Sequence, residues 1–194
     1  MAQTQPAAHL GAHEVMEIHE VLSNAINCIN TFQLYRPHVQ DQQLATILDN
    51  QLRFAVQEYD NMVAVLNRRG AGQAVPYRPV SRNLTPMYGL RNPAPASPNA
   101  SANAIDDRDV ASAVLGCHKA SASLRMHAAL ECADPELRRM LMQGATNCAE
   151  QAYEVFQWMN QKGYYQVPTL QVNTTQTMTA LYQPAPPGLH TGVQ

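Results

Sequence analysis

"VPYRPVSRNLTPMYGLRNPAPASPNASANA", Val75–Ala104, is the stretch on which the fold depends. It is rich in Pro, Ser, Asn and Ala. Its prolines remove backbone donors and fix φ, so it can neither continue a helix nor fill a core. Helical patterning lies on both sides of it. The whole segment from about Gly70 to Ala104 therefore reads as one long connection between two helical halves.

Upstream, Val15, Ile18, Leu22, Ala25, Ile29 and Phe32 recur at alternating gaps of three and four, the seam of an amphipathic helix in a bundle. That helix is expected to run to about Arg36, where Pro37 stops it. A second run, Leu44, Leu48, Ala55, Tyr59, Met62 and Leu66, follows Asp41 as N-cap and ends at "NRRG". Downstream, Val110, Val114, Cys117, Ser121, Leu124 and Ala128 mark a third helix. "ADPELRRML" then supplies an N-cap at Asp134, Pro135 at the first helical position and Glu136 in the first turn. The fourth helix carries Leu137, Leu141, Cys148, Ala152, Val155 and Met159 and stops at "QKGYY".

The halves match at one constant offset: Asp41 with Asp134, Leu44 with Leu137, Leu48 with Leu141, Met62 with Val155, Gly70 with Gly163 and Leu22 with Leu115. This reads as a duplicated helical hairpin. The expected fold is all-α, a ferritin-like four-helix bundle built from two duplicated hairpins joined by a long Pro-rich crossover. Its divisions are a flexible N-terminus (1–11), the first hairpin (12–69), the crossover (70–104), the second hairpin (105–166) and an extended, Thr/Gln/Pro-rich tail (167–194). Helices of about 27 residues would run roughly 40 Å.

Composition excludes several functions. At 194 residues the chain can bury a core of ordinary size without disulfide or metal staples. A net charge of -2, with few and interspersed charged residues, gives no basic field for nucleic acid or anionic lipid. There is no signal-peptide pattern at the N-terminus and no apolar run long enough for a membrane span. Cys28, Cys117, Cys132 and Cys148 are widely spaced, which reads as reduced thiols packed in helices. Intermolecular disulfides remain open for Cys28, at a helix flank, and Cys132, at a helix end.

"HEVMEIHEVL", His13–Leu22, raises the question of a metal site, because bundles of this topology often hold two metal ions on inward Glu and Glu-x-x-His residues. At about 100° per residue, His13, Glu17 and Glu20 face away from the seam, and Glu14 and His19 lie on its opposite flanks. The stretch is better read as an acid-rich first turn favoured by the helix dipole. Glu58 falls inside the apolar sector of the second helix, but Asn61 stands where the motif needs His, and no Glu-x-x-His occurs in the chain. Glu150 and Glu154 fall on the polar side of the fourth helix. His118 and Arg125 edge the third seam, and Gln51 and Gln151 enter the second and fourth; these four read as hydrogen-bonding partners for Glu58, while His127 lies on the surface. Candidate metal ligands are thus Glu14, His19, Glu58 and His118, too few for a carboxylate-bridged centre. No catalytic motif is present, and neither enzyme activity nor a cofactor is expected. The competing reading is an oxidase-like or peroxide-handling metalloprotein with a nonstandard site at Glu58 and His118.

The second half then becomes specific. Asp106 to Tyr165 opens with Asp-Arg-Asp at 107–109, places Lys119 in mid-helix, sets Glu131 before Ala-Asp-Pro-Glu-Leu-Arg at 133–138, and closes with Met-x-x-Lys-Gly-Tyr-Tyr at 159–165. In these residues and spacings it resembles the Coat F domain of bacterial endospore coat proteins, and the "HEVMEIHEVL" hairpin looks like the family's first half. The resemblance implies a helical bundle with a mainly structural role in the spore coat. It also implies synthesis in the mother cell without a signal peptide, and partners that are other coat proteins and further copies of itself, as an oligomer or layer. It supplies no catalytic residues. Tyr77 and Tyr88 in the crossover, Tyr164 and Tyr165 at the end of the second hairpin and Tyr182 in the tail either offer contact area to neighbouring subunits or are only linker aromatics.

Overall fold

The structure, a computed structural model, describes residues 10–67, 74–81 and 84–186. Four long helices form it: α1 (Ala12–Tyr35), α2 (Gln42–Leu66), α3 (Asp107–Leu130) and α4 (Pro135–Gln161). A short α5 (Val172–Ala180) lies in the tail. Among the described residues no strand forms; isolated bridges join Tyr88 and Gly89 to Val167. α1 lies against α2 and α3, and α4 lies against the same two helices. The chain is an all-α helical bundle.

Local chemistry sets the helix limits. Asp41 accepts from the Gln43 and Leu44 amides, Asp134 from Glu136 and Leu137, and Asp106 from Arg108 and Asp109, each satisfying donors that a helix start leaves unpaired. Pro37 ends α1 in a 3₁₀ turn, Arg36–His38. α4 ends in a Schellman motif at Gly163 (φ 77): the Tyr164 amide bonds to Met159 O and the Gly163 amide to Asn160 O. Of "NRRG", Asn67 caps α2, whereas Arg68–Gly70, and with them the Gly70–Gly163 correspondence, lie outside the described residues, as do 1–9 and 187–194.

The ends show the direction of each helix. Asp107, opening α3, accepts from the Gln40 and Asp41 amides at the α1–α2 turn, at 2.8 and 3.1 Å. Glu14, opening α1, accepts from the Asp134 amide at the α3–α4 turn, at 2.6 Å. Each hairpin therefore supplies the carboxylate that the other's turn needs, and Glu14 corresponds to Asp107 at the offset that relates Asp41 to Asp134. Every neighbouring pair of helices is antiparallel. The crossover must accordingly carry the chain back along the length of the 25-residue α2, roughly 37 Å.

Two apolar clusters fill the bundle. Phe32, Leu44, Leu48, Val110, Val114, Val155 and Trp158 occupy the end near the α1–α2 turn, and Ile18, Val21, Met62, Ala128, Leu137 and Leu141 the other. Each buried Val, Leu, Ile, Phe or Met side chain among them contributes about 1.5–3 kcal/mol. Between the clusters, each long helix passes through a polar stretch.

Three expectations are corrected. Val15 is half exposed while Glu14 is buried, so the seam of α1 starts one residue earlier; an acceptor is needed there for the Asp134 amide. In the tail read as extended (167–194), α5 is helical. Cys28 of α1 is joined to Cys117 of α3 within the chain, with Cα atoms 6.2 Å apart, and is not a reduced or intermolecular thiol. Cys132 and Cys148 are free and buried, so Cys132 is not at the surface either. Burial pushes both thiols up to about 11.

Candidate functional site

The polar stretches of α2, α3 and α4 meet in the middle of the bundle. Gln51, His118, Arg125, Asn147, Gln151 and Glu154 are all buried there, and buried polar groups must find partners within the protein. All of these except Gln151, whose Nε2 has no partner among the described residues, do so in two adjoining groups.

The first group is centred on Glu154. Its Oε1 accepts from the Val80 amide at 2.7 Å, the Ser81 amide at 2.9 Å and the Ser81 hydroxyl at 3.1 Å. Its Oε2 accepts from the Tyr77 hydroxyl and from Gln51 Nε2. Because Gln51 turns its amide nitrogen to that carboxylate, its Oε1 faces His118 Nε2 at 2.8 Å, which assigns the imidazole proton to Nε2. Burial, with Arg125 adding to it, pushes His118 down to about 3, so the ring is neutral. Phe32 meets it edge-on at 5.3 Å. Burial and the neighbouring Glu154 carboxylate push the Tyr77 phenol above its ordinary value.

The second group pairs Glu58 with Arg125, 3.2 Å apart, and with Asn147 Nδ2 at 2.6 Å. Burial raises the Glu58 carboxyl above the usual range despite the opposing Arg125 charge. Asn147 also receives the Tyr77 amide and donates to Val75 O. Beside this pair is a cavity of about 20 Å³, lined by residues including Phe54, Glu58, Met62, Arg125 and Met140, room for about one water.

Both groups hold the crossover. Asn147, Glu154, Gln157, Asn160 and Gln161 form a row along α4, and each bonds to backbone atoms between Val75 and Met87. An extended, Pro-rich chain has no strand partner for its amides and carbonyls, and this row of side chains takes the place of one.

The residues singled out in sequence fall as follows. Glu14 serves the interhairpin contact, His19 is exposed, Glu58 is bound to Arg125, and His118 is bound to Gln51. The structure does not bring the four together, and among the described residues no group of three or more His, Cys, Asp or Glu is placed to hold a metal ion. Gln51 serves Glu154 and His118 rather than Glu58, and Gln151 Nε2 is left without a partner. Glu154, assigned to the polar side, is buried because the crossover covers that side. Tyr77, read as a docking or linker tyrosine, is a buried anchor, whereas Tyr88, Tyr164, Tyr165 and Tyr182 remain exposed. His127 is largely exposed, 3.8 Å from Glu17.

Comparison with known proteins follows the same lines. Residues 106–168 match the Coat F domain. A solved crystal structure of a candidate spore coat protein from Bacillus halodurans C-125 superposes with a TM-score of 0.62. It covers 84% of this chain and 96% of that one at 16% identity, a likeness of fold. The spore coat protein F-like protein YhcQ of Bacillus subtilis (strain 168) is 34% identical over 178 residues, 90% of this chain and 81% of that protein. No helix among the described residues is long and apolar enough to cross a membrane. With a curated relative so similar along most of its length, and the Coat F match over its second hairpin, this chain belongs to the spore coat protein F-like family.

Proposed function

We propose that this chain is a structural component of the bacterial endospore coat that self-associates or binds neighbouring coat proteins, and that it has no catalytic centre. The observation that carries this reading is the use made of the buried polar groups. Glu154, whose carboxylate would suit chemistry best, is saturated by five donors: four fix the crossover to α4, and the fifth is Gln51 of α2. The Arg125 guanidinium already occupies the cation position at Glu58. The cavity beside that pair has no room for a substrate. These groups build a rigid block, as a coat subunit requires, and family membership supplies the setting.

The test has two parts. The purified protein is exposed to iron, manganese and zinc, dialysed and analysed for metal, and its size is followed against concentration. Concentration-dependent multimers without retained metal are expected. Near-stoichiometric metal that is lost in Glu58→Ala would replace this reading with the metalloprotein one.

A further inference from the structure

α5 is a helix without an evident means of support. It has nine residues, with no side-chain cap, no acidic residue in its first turn and no basic residue in its last, and none of its residues is buried. Isolated helices shorter than about 12 residues are marginal in water even for good formers, and "VNTTQTMTA" is built largely of Thr, Asn and Val, which are poor ones. Its stability has to come from a surface it packs against. It carries a face for that purpose: at 100° per residue, Val172 and Met178 fall on one side with the methyl groups of Thr175 and Thr179, and both large side chains are more than half exposed.

The bundle has a surface of matching character that nothing in the described chain covers. A groove between α3 and α4 is lined by Ala122, Met126 and Leu130 on one wall and Ala145, Thr146 and Ala149 on the other. Small residues in its floor allow a helix backbone to approach closely. From Ala122 to Leu130 the groove runs about 12 Å, and α5 is about 13 Å long. Charge matches too: no Asp, Glu, Lys or Arg occurs from Val167 to Gln194, and among the described residues His127 is the one titratable side chain lining the groove.

Val167 O accepts from the Gly89 amide at 2.8 Å, which pins the α5 arm to the crossover side of α4. The groove face of α4 lies about a quarter turn away.

From these observations we infer that α5 of one copy seats in the α3–α4 groove of a second copy. This deepens the self-association proposed above and rests on it. Arm and groove are different surfaces, so the contact closes reciprocally in a pair or propagates from copy to copy.

A photo-crosslinking residue at position 178 of an unlabelled full-length chain, mixed with nitrogen-15-labelled wild type, tests the inference. After irradiation, mass spectrometry is expected to find position 178 joined to the labelled chain around Met126 and Leu130. Leu130→Glu, at an exposed position, should keep its helical circular dichroism and weaken association about tenfold or more, because it places a charge in the buried contact. Cross-links confined to the chain's own groove, or multimers that persist in Leu130→Glu, would overturn the arm–groove contact and leave self-association standing. A wild-type chain that is monomeric at every concentration would overturn both.

Discussion

His118 is neutral because it is buried, and that makes it a source of acid sensitivity. Its value in the folded chain, about 3, lies below the ordinary 6.5, so the unfolded chain binds the proton more readily. Its contribution is complete above 6.5 and falls with pH, by up to about 1.4 kcal/mol per unit, until the folded value is reached. Urea unfolding at pH 7 and pH 5 should show a larger loss in wild type than in His118→Gln, whose amide can still reach Gln51; equal losses would exclude the histidine as the cause. Gly144 offers a second test. A Cβ there would press on Arg125 Nη1 and stand 3.2 Å from its Cδ. Gly144→Ala gains about 1 kcal/mol of helix propensity, but displacing Arg125 from Glu58 leaves a buried charge unpaired, at about 3–5 kcal/mol. The loss wins, and a net destabilisation of about 2–4 kcal/mol should appear in the midpoint of denaturation. Sequence periodicity could place Glu58 inward and His118 and Arg125 at a seam. It offered Arg125 as a partner for Glu58, which the structure bears out, but not Gln51 for His118, because the direction in which that buried amide turns is set by Glu154 on another helix.

Among the elements, the crossover is the one whose part in the structure sequence reading missed. Its composition marked it as a long connection that cannot continue a helix. Periodicity shows which side of a helix is apolar, not which polar side another segment will cover. Glu154 and Tyr77 were misplaced for that reason. Glu154→Ala should cost about 3 kcal/mol, since it strips acceptors from two amides and two hydroxyls. It should also open the segment around Val80 and Ser81 to limited proteolysis while the helices resist; a protected crossover would show that the row on α4 is dispensable. The Val15 error is of another kind. A shift of one residue keeps the three-and-four spacing, and only the Asp134 amide, far away in sequence, distinguishes Glu14 from its neighbour.

For the whole molecule, the order and approximate ends of the four long helices were legible because caps, prolines and spacing are local; uncapped α5 carries no such signal. The joining of Cys28 to Cys117 was not legible, since it depends on α1 and α3 crossing at those positions. Asn24 and Ser121 bond beside them at 2.7 Å. That link closes a loop spanning 89 residues, worth about 4–5 kcal/mol if its effect is on the unfolded chain. Reduction should lower the unfolding temperature without changing helix content, and Cys117→Ser should abolish the effect of reductant; an unchanged temperature would show that the link adds nothing to stability. The exchange of carboxylates between Glu14 and Asp107 has a consequence of its own. Each hairpin is completed by its counterpart and not by itself, and the crossover that links them is bound along α4 of the second. Cleaved at a site engineered into the exposed stretch after Asn92 and then reduced, the protein should elute as one particle made of two complementing fragments. By the same logic, two intact chains can trade hairpins, as in domain swapping, without breaking any contact that holds a single bundle together.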